Sequence, residues 1–172
     1  MAKITFYGAA RQVTGSCYLI ETQHHRLLLE CGMRQGEDEE EIEPGVPLLP
    51  FDPQTIDAVI LSHAHLDHTG MTPLLVRRGY RGPVYMTATT CQLLPIMHKD
   101  SAFLLMKDVE WANKRRQRAG NPPLEPLYTL NDVERELGLC EGLHYEEKRD
   151  ILPGVELRFR DAGHILGSAI VE

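Results

Sequence analysis

The sequence predicts an α/β domain. Short apolar runs of strand length recur between segments of helical length, and Gly and Pro punctuate most of the junctions. The length of 172 residues suits one ordinary domain, or part of a larger one.

Residues 3–7 and 16–21 read as strands joined by a turn from Gly8 to Gly15, and residues 26–31 read as a third strand that stops at Gly32. A polar loop follows, with the acidic run Glu37 to Glu41 and then Pro44, Gly45, Pro47 and Pro50. Consecutive like charges repel, so that run reads as a solvated loop rather than a cation site. Residues 57–61 (Asp-Ala-Val-Ile-Leu) form a continuous apolar run, as in a buried strand. Gly70 to Arg78 is a short helix closed by Gly79, and Pro83 to Met86 is a strand. The longest helix lies between about Thr89 and Arg118, with Pro95 marking its start or a kink. Thr129 and Asp132 have capping-box spacing for a helix that runs to Leu137 and stops at Gly138. Strands return near 143–147, 155–160 and 168–172. There is no internal repeat and no low-complexity tract, so the whole chain reads as one α/β unit.

Composition excludes several classes. With 42% hydrophobic and 25% charged residues, the chain as a whole is neither disordered nor fibrous. No stretch approaches the roughly 18 apolar residues of a membrane helix. The start, Met1 to Gly8, lacks the apolar core of a secretory signal. The formal net charge is −7, so any polyanion would have to be met by local positive charge or by a metal. Cys17, Cys31, Cys91 and Cys140 are scattered, with no C-x-x-C pair. They argue against a disulfide framework or a cysteine zinc site and predict a reducing cytoplasm.

The chemistry concentrates in His63-Ala64-His65-Leu66-Asp67-His68, which places four potential ligands in six residues just after an apolar strand. Imidazole and carboxylate are the ligands of a catalytic zinc site, where a position is left for water. Alternation puts His63 and His65 on one side of an extended chain, and Asp67 and His68 then turn toward a second ion. Far downstream, His164 stands between Gly163 and Gly167 after the strand Val155 to Arg160. By itself it reads as a turn residue; beside the first motif it reads as a third ligand of the first ion. Lys114, Arg115, Arg116 and Arg118 end the long helix, either complementing its dipole or tracking phosphates. His24, His25, His98 and His144 lack partners at ligand spacing and read as surface or packed residues.

Four segments carry a family resemblance: Val13 to Cys17, Cys31 to Gly36, Ser62 to Gly70, and Ala162 to Ala169. Through them the chain resembles the N-terminal part of a metallo-β-lactamase-fold hydrolase, and more narrowly the β-CASP group of RNA-processing nucleases. The resemblance implies the N-terminal half of an αββα fold, a mixed sheet with helices on one face, in residues 1–172. The remaining half and the inserted β-CASP domain would lie outside the chain. It implies two zinc ions in the complete enzyme, one held by His63, His65 and His164 and the other by Asp67 and His68. Asp67 and His68 are then the catalytic candidates, with Asp67 also positioning the attacking water. The loop Thr14-Gly15-Ser16 is expected near the substrate. The family usually has Asp where Glu30 stands, and no firm role is carried to Glu30.

The expected function is zinc-dependent hydrolysis of RNA phosphodiesters. The alternatives are a metallohydrolase of another ester, thioester or lactam, or a non-catalytic metal-binding fragment. The isolated chain is expected to be inactive or weakly active, with partial metal occupancy. Half of an αββα fold should also leave one sheet face open and apolar, which predicts self-association or docking of the missing half.

Overall fold

The computed structural model describes residues 1–34 and 49–172; the acidic run Glu37 to Glu41 lies outside them. Two sheets form. Strands β1 (Lys3–Gly8), β2 (Cys17–Glu21), β3 (Arg26–Cys31), β4 (Ala58–Ile60), β5 (Val84–Thr87) and β6 (Cys140–Leu143) make a six-stranded sheet in sequence order. Pairing is antiparallel from β1 to β3 and parallel from β3 to β6, so the sheet is mixed. Strands β7 (Lys148–Leu152), β8 (Val155–Asp161) and β9 (Ala169–Val171) make a small antiparallel sheet.

Side-chain alternation explains why the central strands are apolar throughout. Leu28, Val59, Val84 and Met86 point to one face, where they pack with Leu75, Val76 and Leu94. Leu27, Ala58, Ile60 and Tyr85 point to the other, against Ile151, Leu157, Phe159 and Ala169. A strand buried on both faces needs no polar alternation. The first face carries the helices α2 (Thr72–Arg77), α3 (Ala88–Arg118) and α4 (Leu130–Leu137).

The second face corrects the expectation of an open apolar surface. After β6 the chain turns and lays the small sheet over it, so the inner residues form a sheet-on-sheet core. Most outward positions of the small sheet are charged, with Arg158 and Arg160 both paired to Glu172, and Ile170 is the exposed apolar exception. Exposed apolar surface instead gathers on α3, where Ile96, Phe103, Leu104 and Trp111 form one helical stripe, each at least half exposed.

Several elements differ from the sequence reading. The helix expected at Gly70 to Arg78 is present as α2, and a further short helix, α1 (Leu66–Thr69), precedes it, so the ligand motif itself opens a helix. Helix α3 runs through Pro95 from Ala88, with Thr87 Oγ1 accepting the Thr90 N–H at 3.1 Å as its N-cap. The strand near 143–147 resolves into the end of β6 and a turn before β7. The capping box at α4 is formed, with the Thr129 N–H donating to Asp132 at 2.9 Å.

Candidate metal centre

The site lies at the C-terminal end of β4, where open α/β sheets leave a crevice. Strand β4 delivers His63, buried at 7% exposure, and His65 is the residue on which α1 begins. His164 arrives on the loop between β8 and β9. Nε2 of His63 lies 3.1 Å from Nδ1 of His65, and Nε2 of His164 lies 3.3 Å from that same Nδ1. A ring nitrogen has one lone pair or one hydrogen in its plane, so Nδ1 of His65 cannot satisfy both neighbours by hydrogen bonding. One ion serving all three removes the conflict. Nitrogens bound tetrahedrally to zinc at 2.0–2.1 Å stand about 3.3–3.4 Å apart, so the donor set fits zinc in type and spacing.

Electrostatics suit the same role. The pKa of His63 is pulled down to about 4, first by burial and then by the neighbouring imidazoles of His68, His65 and His164, with Asp67 opposing. Its other nitrogen, Nδ1, lies 2.8 Å from Ser62 Oγ, which leaves Nε2 to face the centre as a neutral donor.

Asp67 and His68 sit beside this trio, with Asp67 Oδ2 3.6 Å from Nε2 of His68. They form a pair rather than a full ligand set among the described residues. Burial works against the His68 imidazolium, but the hydrogen bond to Glu30 and the charges of Glu30 and Asp67 outweigh it and hold its pKa above the ordinary value.

The sequence reading left Glu30 without a role, and the structure supplies one. Glu30 is the extra residue of a β-bulge against β2, in the left-handed region at φ 63°. The bulge turns its carboxylate inward. Oε1 accepts the Ser62 N–H at 2.8 Å, and Oε2 lies 2.9 Å from Nδ1 of His68. Glu30 is also close enough to His63 and His68 to form a ligand group with them. Since both its oxygens are already engaged, we assign it to holding the ligand loop rather than the ion.

The loop Thr14 to Ser16 and the turn at Gly32 brace the ligand loop from the other side. Ser16 is buried, and its N–H donates to the Asp67 carbonyl at 2.8 Å. Gly32 lies so flat on that carbonyl that a Cβ would come within 1.7 Å of it. The His164 loop is pinned just as firmly. Ser168 Oγ accepts the N–H of His164 at 3.0 Å and of Ile165 at 3.2 Å, and the Ala169 N–H donates to the Ser62 carbonyl at 2.8 Å.

Comparison with known families gives a match to the metallo-beta-lactamase superfamily over residues 10–153. The chain belongs to that superfamily. Its mixed sheet, with helices on one face and a second sheet on the other, is consistent with the superfamily fold. Among its relatives, Ribonuclease TTHA0252 of Thermus thermophilus is 43% identical over 169 residues, covering 98% of this chain and 34% of that protein. Transcription termination factor FttA of Methanosarcina mazei is 38% identical over 168 residues, covering 98% and 24%. FttA of Methanothermobacter thermautotrophicus is 35% identical over 170 residues, covering 98% and 24%. This superfamily member therefore spans about a quarter to about a third of the length of these relatives. Among the described residues, no helix is long and apolar enough to cross a membrane.

Proposed function

We propose that this chain carries the metal centre of a zinc-dependent ribonuclease of the β-CASP group and acts in RNA processing. The observation that carries the reading is the convergence of His63, His65 and His164 on one point, with Asp67 and His68 alongside. Relatives named as a ribonuclease and as termination factors support RNA as the substrate.

In this reading His63, His65 and His164 hold one zinc, and Asp67 and His68 contribute to holding a second. Bound zinc lowers the pKa of a water to about 7 and stabilises charge on the scissile phosphate. The protein's own groups supply orientation. Asp67 accepts a hydrogen bond from the attacking water and aims it. Glu30 fixes the ring plane of His68. The loop Thr14-Gly15-Ser16 borders the substrate and braces Asp67 through its backbone. The chain is the N-terminal portion of a larger nuclease, so by itself it is weakly active, and it associates with itself or with the remainder of that nuclease. The four free thiols support a reducing, cytoplasmic setting.

The test is cleavage of labelled single-stranded RNA with added zinc. We expect weak cleavage that a chelator and the His65→Ala substitution both abolish. Turnover of a chromogenic lactam while RNA stays intact would overturn the reading, as would RNA cleavage that persists in the chelator.

A further inference from the structure

We propose that the buried pair His98–Glu136 is a positioning device for the metal loop; the inference rests on the metal reading above. Neither residue lies at the centre. His98 comes from α3 and Glu136 from α4, and both side chains are fully buried. Nδ1 of His98 lies 2.8 Å from Glu136 Oε2, and Nε2 lies 2.9 Å from Thr69 Oγ1. Thr69 Oγ1 is in turn 3.1 Å from the His65 carbonyl. On the other branch, Thr72 Oγ1 contacts Glu136 Oε1 and lies 2.7 Å from the Thr69 carbonyl. Both ring nitrogens and both carboxylate oxygens are used.

The endpoints give the network its meaning. It terminates on the carbonyls of His65 and Thr69, the two ends of the turn that carries Asp67 and His68. The His65 carbonyl also accepts the N–H groups of His68 and Thr69, each at 3.0 Å. That carbonyl therefore fixes where His68 stands relative to His65, and so the spacing between the two halves of the centre. Helix α1 has only four residues, too few to hold its own geometry. Its shape must be imposed from outside.

A buried His–Glu pair is a poor way to gain stability, because desolvation offsets most of the attraction and apolar residues of similar volume do as well or better. It is a good way to fix one geometry, because every member leaves another unsatisfied in a dry interior if it moves.

The test is zinc affinity, measured by competition with a chromophoric chelator, together with the visible spectrum of the cobalt-substituted chain. His98→Leu and Glu136→Gln should each weaken zinc binding by about 10–100-fold and shift the cobalt bands. His98→Gln, whose amide can still reach Thr69, should recover most of the affinity. Val84→Ala, which lowers stability from the core on the helix-covered face at the start of β5, should leave affinity and spectrum unchanged. If His98→Leu does not fold, Glu136→Gln and His98→Gln decide. Folded variants with wild-type affinity and wild-type cobalt bands would overturn this inference alone. A wild-type chain that binds no zinc would overturn the metal reading and this inference with it.

Discussion

Glu30 joins the two ends of the metal loop: one carboxylate oxygen takes the Ser62 N–H at 2.8 Å and the other lies 2.9 Å from Nδ1 of His68. A single side chain thus sets both the entry to the loop and its last candidate ligand. Glu30→Ala should orphan the Ser62 N–H, costing about 1–3 kcal/mol of stability. It should also free the His68 ring and weaken zinc binding by about 10–100-fold. Urea denaturation and zinc titration check the two effects separately. Unchanged zinc affinity in a folded Glu30→Ala chain would remove Glu30 from the account.

Gly32 tests the opposite brace. A methyl group there meets the Asp67 carbonyl at 1.7 Å and the His68 amide nitrogen at 2.9 Å, both backbone atoms that cannot swing aside. Gly32→Ala should cost at least about 3 kcal/mol or displace the loop and its ligands. At Gly120, with φ 73° and nothing within 4 Å, alanine should cost only about 1–2 kcal/mol, the strain of the left-handed conformation. Equal melting temperatures for the two variants would contradict this.

His164→Ala should separate binding from folding. The side chain is solvent-exposed and its loop is held by Ser168 and Gly167, so the apo chain should keep its stability within about 0.5 kcal/mol. Zinc binding should fall by more than the roughly 10–100-fold that loss of a supporting partner costs, because a ligand itself is gone. Isothermal titration would show it; binding as tight as wild type would mean that His164 is not a ligand.

The apolar stripe on α3 bears on association. Ile96, Phe103, Leu104 and Trp111 are all solvent-exposed on one helical face. Sedimentation velocity at micromolar concentration should find species heavier than the 19.5 kDa chain, and Phe103→Glu with Trp111→Glu should return it to monomer. A wild-type monomer would show that the stripe does not drive assembly.

Much of the candidate site was legible because most of its residues are local. His63 to His68 lie within one window, and the run 57–61 announced the strand that presents them. His164 was legible only beside that motif, because a histidine between glycines by itself reads as a turn residue. What escaped depends on contacts between distant segments. Nothing near His98 signals Glu136, which lies 38 residues away with no shared period. The carboxylate of Glu30 reaches the site only through a bulge, and bulges leave little trace in an apolar run. Strand β7 was missed because Lys148, Arg149 and Asp150 are all exposed, so no alternation marks them. The small sheet built from that strand is what covers the face expected to stand open.

His65 and His164 are 99 residues apart in the chain, one beside the large sheet and the other on the loop between two strands of the small one. An ion held by both is therefore a cross-link that closes most of the polypeptide into a ring. Binding reserved to the folded form adds stability by mass action, about 2.7 kcal/mol when free zinc is about 100 times its dissociation constant. Removing the ion should accordingly loosen the small sheet first, and amide exchange in β8 and β9 should quicken before any change in β3 or β4. A chain loaded with zinc late in folding would pass through a stage in which its two sheets are docked only by apolar contact and by a few hydrogen bonds, such as that from the Ala169 N–H to the Ser62 carbonyl.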